Sequence, residues 1–104
     1  MIKATPAQLR AVMNILEQYV PDAEVRAFGS RAGGTPKEYS DLDLAIVAQK
    51  KLSIAALDEM REAFSQSDLP FRVDVRDWDS LSDEFKKVID VKYQFIQRAR
   101  RRSI

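Results

Sequence analysis

The chain contains no histidine. That removes the commonest general base near neutrality, the Ser-His-Asp triad and every histidine metal site. It contains no cysteine either, so disulfides and cysteine-ligated zinc are excluded. No long apolar run is present, and no segment is built to span a bilayer. The first residues, Met1-Ile2-Lys3-Ala4-Thr5-Pro6, lack the apolar core of a signal peptide, and the expected compartment is the cytoplasm. Charge of one sign is also missing. Lys and Arg number 17 against 16 Asp and Glu, a net charge of +1. That balance gives no global case for nucleic-acid binding, and no direct contact with nucleic acid is expected. Acid–base chemistry is left to carboxylates and a perturbed lysine.

What is present is a globular composition. The 104 residues, 45% of them hydrophobic, are enough for one compact domain, expected over 1–104, and too few for two. Thr5, Pro6 and Gln8 form an expected capping box for a first helix, with Leu9, Val12, Met13, Leu16 and Val20 on one stripe. Glu24 to Phe28 reads as a strand and Asp41 to Ala48 as a second. Ser53 is expected to cap a helix buried through Leu57, Met60 and Phe64. Phe71 to Arg76 reads as a third strand. Ser80 or Ser82 is expected to cap a last helix with the stripe Phe85, Val88, Ile89, Lys92 or Tyr93, and Ile96. The predicted order is αββαβα. The expected class is α/β (α+β): a small three-stranded mixed sheet with helices on one face and an acidic site on the other.

Alternation places the chemistry. Leu42, Leu44 and Ile46 share one face of the second strand, and Asp41 and Asp43 the other. Phe71, Val73 and Val75 oppose Asp74 on the third. Carboxylates at i and i+2 of a strand stand roughly 6–7 Å apart on one side. Like charges that close are costly unless a cation sits between them. Hard divalent cations bound by carboxylates and substrate phosphates fit Mg²⁺. Two such ions about 3.5–4 Å apart clamp an in-line phosphoryl displacement. The expected roles are metal binding for Asp41, Asp43 and Asp74, with Asp74 also assisting deprotonation. Gly29 and Ser30, ten residues upstream of the Asp-x-Asp, can hold phosphates through backbone N–H groups and a hydroxyl.

The pattern Gly29-Ser30-x10-Asp41-x-Asp43, with Val73-Asp74-Val75 downstream, resembles the signature of the DNA polymerase β-type nucleotidyltransferase superfamily. Length and element order resemble its minimal nucleotidyltransferase branch, which includes the MntA-type antitoxins of HEPN/MNT toxin–antitoxin pairs. The resemblance spans roughly Leu9 to Ile96. It implies transfer of AMP from ATP, with Mg²⁺, to a tyrosine of a partner HEPN ribonuclease. It also implies metal-binding roles for Asp41, Asp43 and Asp74, and a nucleotide-binding turn at Gly29 and Ser30. One departure stands out: many members carry a second basic residue after Gly-Ser-Arg, where this chain has Gly33 and Gly34.

Several readings stay open at this level. Arg31 is either a phosphate clamp, and so part of the nucleotide-binding set, or a surface arginine paired with Glu38 or Asp41. Trp78 either stacks on a nucleobase or serves as a lid or partner anchor. Tyr39 is a loop aromatic or a self-modified acceptor. The basic tail over 97–104 is either a frayed helix end or a docking segment. Two rival functions stand beside the enzyme: a catalytically idle module that neutralises its partner by contact, and a small-molecule nucleotidyltransferase.

Overall fold

A computed structural model describes residues 2–34 and 40–99. The elements are α1 (Pro6–Tyr19), β1 (Glu24–Phe28), α2 (Ser30–Gly33), β2 (Leu42–Val47), α3 (Ile54–Ser65), β3 (Val73–Asp77), α4 (Asp83–Val91) and β4 (Gln94–Gln97). A single 3₁₀ turn, Trp78–Ser80, joins β3 to α4.

The caps follow the sequence. The Thr5 side chain accepts from the Gln8 N–H while the Gln8 side chain reaches back, with Pro6 at the first helical position. Ser53 accepts from the Ala56 N–H at the start of α3. Of the two serines offered for α4, Ser82 caps it, through the Phe85 N–H. Each cap satisfies a backbone donor that the helix itself leaves unpaired.

The sheet has four strands in the order β3-β2-β1-β4. β2 runs antiparallel to β1 and parallel to β3. Its lower face is the main core. Val12 and Leu16 of α1 and Leu57, Met60 and Phe64 of α3 pack there against Val25, Leu44, Ile46 and Val75.

Two expectations need correction. The sheet has a fourth strand where a helix was expected to continue to Ile96. α4 ends at Val91, and Lys92 is already extended. From there the strand is half-buried along its length. Tyr93 packs with one side of the sheet and Ile96 with the other. The Tyr93 and Phe95 rings meet edge to face at 5.4 Å. The physical driver is the free edge of β1, which β4 pairs antiparallel. Gln97 pins the new strand by donating to the Val20 and Ala23 carbonyls at 2.7 and 2.8 Å.

Nor do the helices share one face. Ile89 of α4 forms a second cluster with Phe28 and Ala45 on the acidic side. Phe28 meets Phe85 edge to face at 5.7 Å. Phe28 and Ala45 are apolar positions on the face expected to be open, and α4 covers them. The acidic site occupies what α4 leaves exposed.

Candidate functional site

β2 and β3 are neighbours, and their parallel register sets Asp43 directly beside Asp74. Adjacent strands lie about 4.8 Å apart, so the two carboxylates leave the same face at neighbouring positions. Asp41 lies two residues ahead of Asp43, just before β2 begins. The ladder there opens with the Leu42 N–H donating to the Arg72 carbonyl at 2.9 Å. The residues of β2 that point away from the acids, Leu42, Leu44 and Ile46, are fully buried. Their burial fixes the pleat, because a one-residue slip would put every aspartate into the core.

The Asp43 carboxyl is pushed above the usual aspartate range. Burial is the first cause, followed by the charges of Asp74 and Asp41, with Arg76 and Arg72 opposing. Such an acid, half-buried and crowded by others, is a common mark of a functional site.

Two arginines share this face. Arg72 donates to Asp41 at 2.9 Å, and Arg76 donates to Asp74 at 3.2 Å. Sequence reading did not single them out, although the alternation Arg72-Asp74-Arg76 along β3 carries the signal. Among the described residues no three acidic side chains stand close enough together to hold an ion. The donor chemistry nevertheless fits magnesium. Mg²⁺ takes one or two carboxylates and fills its shell with water and substrate phosphates, so it does not need an all-protein cage. Asp43 and Asp74 supply such a pair, with Asp41 alongside.

The Gly-Ser turn closes against these acids. Gly29 has φ 79° and ψ −161° and is the one left-handed residue among those described. That region is essentially glycine-only. A Cβ at Gly29 would also collide with Asp43 Oδ2. The backbone of the turn therefore lies directly on the carboxylate. Ser30 opens the single turn of α2, closed by the Gly34 N–H to the Ser30 carbonyl at 2.9 Å.

Arg31 does not lie at the surface. It is 7% exposed. Its guanidinium donates to the Ser40 carbonyl at 2.6 Å and the Lys3 carbonyl at 2.8 Å, and stacks over Phe71 at 4.2 Å. It is thus a buried brace between the turn and the segment entering β2. The suggested pairing with Asp41 is taken by Arg72. Glu38, Lys37 and Tyr39 fall outside the described residues, as do Arg100 to Arg102 of the basic tail.

Trp78 takes the lid position. It packs against the second cluster, with the Arg26 guanidinium 4.8 Å from its ring centre and the Tyr93 ring also 4.6 Å from that guanidinium. Arg26 is held further by Glu24 and Asp90.

Sequence reading also missed Lys92. The residue leaves the end of α4 and donates from Nζ to the Gly33 carbonyl at 2.5 Å. A cavity of about 370 Å³ lies between α4 and the turn, bordered by Ser30, Gly33, Gly34, Val88 and Lys92.

Similarity to known proteins agrees with this geometry. The nucleotidyltransferase domain family matches residues 9–102. The probable protein adenylyltransferase MntA of Haemophilus influenzae is 51% identical over 90 residues, covering 86% of this chain and 79% of that protein. A chain in a toxin–antitoxin crystal structure with AMP-PNP has a TM-score of 0.75 at 24% identity, over 88% of this chain and 73% of its own. A chain in the complex of a tri-AMPylated Shewanella oneidensis HEPN toxin with MNT antitoxin has a TM-score of 0.67 at 21% identity, over 89% of this chain and 71% of its own. At those identities the two structures establish the shared fold. No helix among the described residues is long and apolar enough to cross a membrane. The chain belongs to the nucleotidyltransferase domain family.

Proposed function

We propose that this nucleotidyltransferase-domain protein transfers AMP from ATP to a tyrosine hydroxyl of a HEPN toxin, and so acts as that toxin's antitoxin. One observation carries the reading: Asp43 and Asp74 stand in register on adjacent strands, with the Gly29-Ser30 turn packed against Asp43. The half-identical Haemophilus influenzae relative, a probable protein adenylyltransferase, supports the reaction. The toxin–antitoxin complexes that share the fold support the partner.

Asp43 and Asp74, with Asp41 alongside, would hold Mg²⁺ ions together with the substrate phosphates. When bound, those ions neutralise phosphate charge and polarise the α-phosphoryl group. Ser30 and the backbone of the turn hold the polyphosphate against the carboxylates. Arg31 keeps the turn and the entry to β2 at a fixed separation. Asp74 accepts the proton of the attacking hydroxyl, a task open to a carboxylate in a chain without histidine. The hydroxyl oxygen bonds to the α-phosphorus. The bond to the bridging α–β oxygen breaks, and its electron pair leaves with pyrophosphate. Most of the acceleration comes from orientation and charge neutralisation.

The test is label transfer. The protein is mixed with Mg²⁺, ATP labelled at the α-phosphate and a co-expressed HEPN partner, beside the Asp41→Ala/Asp43→Ala variant. Label on the partner is expected with the native chain and is absent with the folded variant. A variant that still protects cells from the toxin would instead establish neutralisation by contact. Label on a small-molecule acceptor with none on the partner would establish the small-molecule reaction.

A further inference from the structure

Three of the six residues over 29–34, the turn that faces the carboxylates, are glycines. Gly29, Gly33 and Gly34 are all the glycines the protein has. Arg31, the cation nearest in sequence, is buried beneath the turn and bonded to the Ser40 and Lys3 carbonyls. A polyphosphate lying on this turn would meet the charges of Asp43 and Asp74 without a side-chain cation from the turn itself.

The fold brings a cation from elsewhere. Lys92 is 59 residues from Gly33 in sequence, yet its Nζ donates to the Gly33 carbonyl at 2.5 Å. Its stem lies where a Gly33 side chain would be: a Cβ built there runs into Lys92 Cε. Lys92 is exposed, and it borders the cavity of about 370 Å³ that begins at Ser30. That volume is within the range of small-molecule sites. An ammonium has three donors. The carbonyl takes one and leaves the others for an anion.

We propose that Lys92 binds the β- and γ-phosphates of the nucleotide, the part that leaves as pyrophosphate, in the cavity between α4 and the Gly-Ser turn. This rests on the nucleotidyl-transfer reading above and adds the residue that neutralises the departing charge. Any larger residue in place of Gly33 would push the lysine stem off the turn. The competing role for Lys92 is structural, closing the carbonyl end of α2, as Gln94 does by donating to the Ala32 carbonyl at 2.6 Å.

Lys92→Gln separates the two roles, because glutamine keeps a donor and loses the charge. Equilibrium binding of ATP and of AMP to the purified full chain is the readout, with thermal melting alongside. Loss of one charge-assisted hydrogen bond is expected to weaken ATP about tenfold. AMP, which lacks the outer phosphates, should keep its affinity, and the melting temperature should not move. Gly33→Ala should weaken ATP in the same sense by displacing the lysine. In the Lys92→Gln background it should add little, since the two changes remove one contact. Equal affinity of native and Lys92→Gln chains for ATP would overturn the assignment while leaving the transfer reaction standing. Parallel losses for ATP and AMP with a lowered melting temperature would reduce Lys92 to the structural role. A native chain that binds no ATP would overturn both.

Discussion

The two faces of the sheet use the same strands for opposite purposes. On one face Leu42, Leu44, Ile46 and Val75 are at most 1% exposed and belong to one apolar cluster with residues of α1 and α3. On the other, one residue along the same backbones, Asp43 and Asp74 sit half-buried among arginines. Burial stabilises the first face at about 25 cal/mol per Å² of apolar area. The second face gives up stability, because it holds like charges close together and disfavours the ionised Asp43. Rigidity on one side therefore positions strain on the other. The division predicts that stability and activity will respond to different residues.

The largest expected effect is on the acidic face. Asp43→Asn keeps size and removes charge. AMP transfer is expected to fall by about a thousandfold or more, as metal-assisted charge stabilisation is worth several kcal/mol. Its melting temperature should hold or rise. A carboxyl whose folded pKa is raised has its ionised form disfavoured by folding, so neutralising it near pH 7 removes a cost. Melting curves and initial transfer rates check both halves.

Next comes the buried face. Leu44→Ala, at a fully buried site, is expected to lower stability by about 2–5 kcal/mol in urea unfolding. Transfer per folded molecule should stay close to native. A large loss of activity in molecules that remain folded would blur the separation of the faces.

The smallest effect lies at the turn packed on the acidic face. Gly29→Ala places a side chain in a glycine-only backbone region and against Asp43. A stability loss of about 1–3 kcal/mol is expected. Transfer should drop as well, because Asp43 has to move. This is the one substitution of the three that should impair both properties.

Much of this was legible in the sequence because it was local. Capping by Thr5, Ser53 and Ser82 depends on residues three apart. The alternation in Leu42-Asp43-Leu44 and Val73-Asp74-Val75 gave the faces, and the register then set the two aspartates side by side. What was hidden depended on distant partners. β4 exists because β1 has an edge to fill, and nothing near Gln94 to Gln97 states that. The acidic face was expected to be open, and the cover that α4 gives Phe28 and Ala45 there is set by tertiary packing. Arg31 was read by its neighbours in sequence, and its partners among the described residues include Phe71 and the distant Lys3 as well as Ser40. Lys92 falls on an apolar stripe by helical counting, and reaches the turn because the chain becomes extended there.

The most direct measurement sets Asp43→Asn and Leu44→Ala side by side, each assayed for thermal unfolding and for transfer of labelled AMP to a HEPN partner. A crossed result is expected: Asp43→Asn melts no lower than the native chain and transfers no label, while Leu44→Ala melts well below it and transfers label at a near-native rate per folded molecule. Label transfer surviving in Asp43→Asn, or lost in both variants in proportion to their loss of stability, would contradict it.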